Sequence, residues 1–189
     1  MRRIRVGRVE VSCFFLFLCA CMLYRDRSGM AGEGFLACIL HEMGHCAALL
    51  LIGNSVKQIN ITAFGAKILP NGSLSYGKEL LVAAAGPGVN ILLAYLCTRV
   101  SDGTAFAGVN LALAVFNLLP IGDLDGARIL RCAMALIAPD EFTSCMMQCL
   151  GYCFTAVFSI FGVVMAAQYQ NITLLLMSLW LLWRLVQEK

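Results

Sequence analysis

The sequence predicts an all-α polytopic membrane protein: six transmembrane helices, with a short membrane-associated β segment between the second and the third. Three observations carry that prediction. Of 189 residues, 60% are hydrophobic and 13% charged, with a mean hydropathy of +0.82, whereas a soluble domain is nearer half apolar and a quarter charged. The apolar residues gather into runs separated by polar punctuation. A helical span takes roughly 20 apolar residues, so six spans use about 120 residues and leave room only for connections. The chain therefore reads as one domain over residues 1–189.

The first run, Val11–Tyr24, is bracketed by Arg8 and by Arg25-Asp26-Arg27. A basic start before a short apolar stretch also fits a cleaved leader, but Met22-Leu23-Tyr24 continues the run and favours a span. The second span covers about Met30–Ile52, the third Leu80–Val100, and the fourth Thr104–Leu119, stopped by Pro120. The fifth covers Cys145–Ala167 and the sixth Ile172–Val186. Between the second and third, Val56–Phe64 alternates in part and is rich in β-branched residues, and Asn71-Gly72 marks a turn. One or two short strands at the inner membrane face are expected there.

Charge sets the orientation. A cytoplasmic N-terminus puts all but Arg25, Arg27 and Arg99 of the 14 basic residues on inside segments, as the positive-inside rule requires. Both termini are therefore expected in the cytoplasm. The net charge of +3 is too small to argue for nucleic acid. Ten cysteines could suggest a disulfide scaffold, but nearly all lie within apolar runs and none forms a C-x-x-C pair. Cys145, Cys149 and Cys153 recur on one helical face, a spacing that reads as a packing stripe.

The two histidines of the chain are His41 and His45, with Glu42 beside the first. On a helix, residues four apart lie one above the other, so both imidazoles can reach one tetrahedral zinc, with Glu42 one residue round to act on the hydrolytic water. In a soluble helix this pattern can be a solvated face. Here Phe35–Leu40 precedes it and Cys46–Leu51 follows it. Charged groups in a span cost about 2.5 to 3.5 kcal/mol each on the insertion scale, which metal binding offsets. A catalytic zinc takes three protein ligands, and no third histidine exists. The span broken at Pro120 and followed by Asp123 and Asp125 is a sensible place to present a carboxylate.

Three blocks in order, each at a membrane segment, resemble the site-2 protease family of intramembrane zinc metalloproteases. They are His41-Glu42-x-x-His45, then Ala85-Gly86-Pro87-x-x-Asn90 opening the next span, then Asn117-Leu118-Leu119-Pro120 leading to Leu124-Asp125-Gly126. The resemblance runs from about Val11 to Leu130. It implies one Zn2+ per chain held by His41, His45 and Asp125, with Glu42 as catalytic acid/base and Asn117 in a supporting role. Asn90 also matches, and reads as structural because Gly86-Pro87-Gly88 looks like a helix entry. The family more often has Pro where Gly122 stands, and Asp123 is a second carboxylate that leaves the third ligand open between two positions.

No room remains for a PDZ or C-terminal regulatory domain. The basic N-terminal arm and the strand-like segment are similar to the stage IV sporulation group, whose members cut a membrane-associated pro-sigma factor. The resemblance thus implies an integral protein of a bacterial cell or forespore membrane. Its expected partners are a membrane-embedded or membrane-associated protein substrate and a membrane regulator. A substrate helix must unwind before cleavage, and the edge of Val56–Phe64, at Ile59 and Ile61, could hold it extended by added-strand pairing. A zinc or proton transporter is one competing reading, though the last two spans offer few polar residues. An inactive substrate-binding homologue is the other, and the intact motif weighs against it.

Overall fold

The computed structural model describes residues 3–27, 29–62, 65–100, 103–170 and 172–187. The chain divides into two compact units, Met1–Asn117 and Leu118–Lys189. The first opens on a β-hairpin, β1 (Arg3–Val6) and β2 (Val9–Ser12). Gly7 turns it at φ +61°, a left-handed conformation that favours glycine. Then come α1 (Cys13–Arg25), α2 (Met30–Leu51), β3 (Val56–Thr62), β4 (Gly65–Pro70), α3 (Tyr76–Cys97) and α4 (Thr104–Asn117).

The strands form one sheet in the order β1-β2-β3-β4, with β2 parallel to β3 and the other pairs antiparallel. Parallel strands need a crossover connection; here it is the α1–α2 hairpin, which brings the chain back beside its own start. Register places Val9, Ile59 and Ile68 in one row and Val11, Ile61 and Ala66 in another. The alternate row holds Glu10, Asn60 and Lys67, so the two faces differ in polarity.

Three expectations are corrected here. The sheet is larger than the segment between the second and third spans, because the basic N-terminal arm supplies two of its strands. Arg3, Arg5, Arg8 and Glu10 disguised it as a solvated arm, although Ile4, Val6, Val9 and Val11 supply a strand-like apolar pattern. Next, β3 has no free edge: Ile59 and Ile61 pair with β2 on one side and β4 on the other. Residues 63–64 of the expected segment lie outside the described residues. Finally, Pro87 lies inside α3 rather than at its entry.

The seam joining α2, α3 and α4 is made of small and polar residues. Ala37, Ala83, Ala94, Ala107 and Ala114 are buried, together with Asn90 and Asn110. At Gly44 the helices come so close that a Cβ would stand 2.9 Å from the Ala85 carbonyl oxygen. The large apolar side chains point the other way: Leu36, Ile39, Met43, Leu92, Tyr95 and Leu111 are exposed. Small residues inside and large apolar ones outside is the arrangement of helices packed within lipid.

In the second unit, Ile121 is buried in the turn after Pro120, and Gly122 adopts φ +55°. α5 (Asp125–Ala135), α6 (Asp140–Tyr169) and α7 (Thr173–Gln187) follow. α6 meets α7 at Gly162, where a Cβ would lie 2.8 Å from the Leu175 Cα. α5 is an additional helix: Arg128 and Arg131 interrupt its apolar residues, so it does not register as an apolar run. Of the expected spans, α2, α3 and α6 are long and apolar enough to cross a membrane. α1, α4 and α7, with 13, 14 and 15 residues, are shorter than the roughly 20 residues a span usually takes.

Candidate metal centre

α2 places His41, Gly44 and His45 on its buried face, because residues three and four apart share a face of a helix. Glu42, next round the helix, is half-buried. Each imidazole is held by its Nδ1. His41 Nδ1 lies 2.5 Å from Asn90 Oδ1, and His45 Nδ1 lies 2.7 Å from the Val82 carbonyl oxygen. Both partners are on α3, and both oxygens only accept. Each Nδ1 must therefore carry the proton and donate it.

In the neutral rings that assignment leaves a lone pair on each Nε2, and the two Nε2 atoms are 3.1 Å apart. With both Nδ1 atoms protonated, neither Nε2 has a proton to give the other. Two lone pairs converging in a buried seam repel unless a cation lies between them. Zn–N bonds of about 2.0–2.1 Å at a tetrahedral angle put two ligand nitrogens about 3.3 Å apart, close to the spacing observed. The rings are nearly perpendicular, at 83° with centroids 4.8 Å apart. Neutral imidazole nitrogens suit a borderline-soft divalent cation such as zinc.

Gly86 makes room for this pair. A Cβ there would fall on the His45 ring and 2.8 Å from His41 Nε2. The local reading of Gly86-Pro87 as a helix entry missed this role, which depends on what crosses the glycine from α2. Asn90 holds His41 and so does more than pack. Its Nδ2 donates to Asn110 Oδ1 at 2.8 Å, and Asn110 Nδ2 donates to the Phe106 carbonyl at 2.9 Å. Asn110 is not evident from any motif block, although an amide in the middle of the apolar run of α4 is the signal that could have found it.

In the second unit, Asp125 occupies the first turn of α5 and is buried, with one carboxylate oxygen 3.7 Å from an Arg128 guanidinium nitrogen. Asp123 is exposed. Of the two carboxylates left open, burial distinguishes Asp125. His41, His45 and Asp125 are all buried and each offers one ligand atom. Asn117 Nδ2 donates to the Leu113 carbonyl of its own helix at 3.1 Å. Ile59 and Ile61 lie within the sheet, in a strand paired on both sides.

No family model matches the chain. Among curated proteins, it is 36% identical over 109 residues to sll0528 of Synechocystis, whose name assigns it provisionally to the zinc metalloproteases. That match covers 51% of this chain and 29% of the relative. It is 28% identical over 102 residues to stage IV sporulation protein FB of Bacillus subtilis, covering 49% of this chain and 35% of that one. Zinc metalloprotease MJ0392 of Methanocaldococcus jannaschii is 26% identical over 165 residues, which is 82% of this chain and 47% of that protein. The matched segments thus span less than half of each of these relatives. Among solved structures, the site-2 protease from Methanocaldococcus jannaschii superimposes with a TM-score of 0.72 at 22% identity, over 99% of this chain and 94% of that one. The chain therefore has the site-2 protease fold and is homologous to proteins named as zinc metalloproteases, which bears out the resemblance read from its three motif blocks.

Proposed function

We propose that this chain is an intramembrane zinc endopeptidase that hydrolyses peptide bonds in or next to transmembrane segments. The observation that carries the reading is the pair of histidine Nε2 atoms, 3.1 Å apart, each made a lone-pair donor by the hydrogen bond at its own Nδ1. His41, His45 and Asp125 would hold one zinc ion, two neutral ligands and one carboxylate forming a ligand set known for catalytic zinc. Zinc bound there supplies Lewis-acid polarisation of the scissile carbonyl.

The chain's own residues carry the rest. Glu42 accepts a proton from the attacking water as its oxygen bonds to the carbonyl carbon. It then gives that proton to the amide nitrogen as the C–N bond breaks, so that carboxylate and amine leave together. Asn90 and the Val82 carbonyl keep both imidazoles oriented throughout, as outer partners of metal-ligating histidines do. An extended substrate segment pairs with β4, the terminal strand of the sheet order, in place of the doubly paired β3.

The finer reading concerns the substrate. Similarity to stage IV sporulation protein FB supports a membrane-associated pro-sigma factor as substrate and a membrane protein as regulator, in a bacterial cell or forespore membrane. The basic residues before α1 and within the β3–β4 segment support cytoplasmic termini.

Co-expression of a tagged membrane-associated pro-sigma factor with wild type and with Glu42→Gln tests the reading. General acid–base catalysis contributes about 10²–10⁴-fold, so Glu42→Gln should abolish visible cleavage while purified protein retains zinc. Cleavage at the wild-type rate by this variant overturns the assignment.

A further inference from the structure

The hydrogen bonds behind His41 run in one direction, and their order has a consequence. The Phe106 carbonyl can only accept, so the amide of Asn110 must turn its Nδ2 toward it, at 2.9 Å. That leaves Asn110 Oδ1 facing α3, where Asn90 must present its own Nδ2, at 2.8 Å. Asn90 Oδ1 then faces His41 Nδ1. Both asparagines are fully buried, so water cannot supply a substitute partner. An Asn90 rotated by 180° would set its oxygen against Asn110 Oδ1 and its NH2 against His41 Nδ1. The second contact would reward the opposite tautomer, with the proton on Nε2 and no lone pair there. Asn90 Nδ2 also reaches the Ala37 carbonyl, but at 3.4 Å, near the limit of a hydrogen bond.

We infer that Asn110, a residue of α4 that does not touch the histidines' Nε2 atoms, is a positioning residue that sets the tautomer of His41 through Asn90 and thereby readies its Nε2 for the metal. The inference rests on the metal-binding reading above. It goes further in making the ligand state of a histidine on α2 depend on an amide two helices away. His45 is the internal contrast, because its Nδ1 is held by a backbone carbonyl on α3, which cannot flip.

The chain has two histidines, so a full-length protein labelled with ¹⁵N-histidine gives two ring systems to assign. In metal-free protein at about pH 9, where an ordinary imidazole is neutral, nitrogen shifts and ring couplings report which nitrogen of each ring carries the proton. Wild type is expected to show Nδ1–H for both. In Asn110→Ala, His41 should move wholly or partly to Nε2–H while His45 stays unchanged, and zinc binding measured against a chelator should weaken about tenfold, the lower end of the outer-partner range. Asn110→Asp keeps an acceptor toward Asn90 in either protonation state and should restore both the His41 tautomer and the zinc affinity of wild type.

Three results overturn the inference: His41 protonated at Nε2 in wild type, an Ala variant unchanged in tautomer and affinity, or an Asp variant that behaves like Ala. If Asn110→Ala fails to fold, both histidine signals move together, and wild type and Asn110→Asp then decide. Wild type that binds no zinc sinks the metal-binding reading, while the His41 tautomer of the metal-free protein still decides the relay.

Discussion

A methyl group at position 86 would collide with the His45 ring and approach His41 Nε2 to 2.8 Å. Gly86→Ala should therefore push the imidazoles apart without unfolding the seam. The helix gains up to about 1 kcal/mol of propensity from alanine and loses about 1–3 kcal/mol to overpacking. The expected outcome is a folded protein whose zinc content, measured by metal analysis after purification, drops from one per chain toward none; full occupancy would sink the claim that this glycine makes room for the pair. Asn90→Ala removes the partner of His41 Nδ1 and should weaken zinc binding by about 10–100-fold, read by chelator competition. At this scale the sequence shows the ligands better than their supports. His41 and His45 are legible because a spacing of four fixes a shared helical face regardless of what packs on it. Gly86 and Asn110 are not, because their roles depend on the close approach of α2 and α4 to α3. Asp125 differs from Asp123 in sequence only by its motif frame; the structure buries the first and exposes the second, a difference that depends on folding and that no local pattern displays.

Strand directions within the sheet decide how substrate pairing is to be tested. Ile59 N–H donates to the Arg8 carbonyl at 2.9 Å, so Ile59 directs its backbone toward β2, and Asn60 directs its own toward β4. Lys67, opposite Asn60, then faces β3, which turns the backbone groups of Ala66 and Ile68 outward. Ile68→Pro removes an outward N–H at a position where an edge strand tolerates proline. It should reduce cleavage several-fold while leaving zinc content and melting temperature at wild-type values; unchanged cleavage argues against pairing at β4. Ile59→Pro breaks the bond to Arg8 instead, inside a strand paired on both sides, and the expected result is a lowered melting temperature. The helices of this unit were largely legible, since expected bounds of 30–52, 80–100 and 104–119 meet observed ones of Met30–Leu51, Tyr76–Cys97 and Thr104–Asn117. The sheet was half legible. Alternation marked β3, but strand order is a long-range property, and β2 reaches β3 only across the whole α1–α2 hairpin.

Pairing of β2 with β3 also constrains how the chain meets a membrane. Both strands belong to one sheet, so the residues just before α1 and just after α2 lie on the same side. α2, with 22 residues, is about 33 Å long at the helical rise, enough for a hydrocarbon core of about 30 Å. If α2 crosses, α1 must cross as well, because a single crossing would leave β2 and β3 on opposite sides. Yet α1 is about 20 Å long by the same rise, and its 13 residues explain why length alone does not identify it as a span. Bilayer thinning and the snorkelling of flanking Arg8 and Arg25 accommodate such a mismatch at a cost of fractions of a kcal/mol per Å. Charge points the same way: Arg8, Lys57 and Lys67 flank the sheet side, and Arg25 and Arg27 the connection between α1 and α2. Reporter insertions test this directly. A tag before Arg3 and one at Asn71-Gly72 should both report the cytoplasm, and one in the connection between α1 and α2 should report the opposite side. Agreement of all three tags would show α1 and α2 lying on one face of the bilayer, leaving the exposed Leu36, Ile39 and Met43 of α2 without the lipid that their outward placement demands.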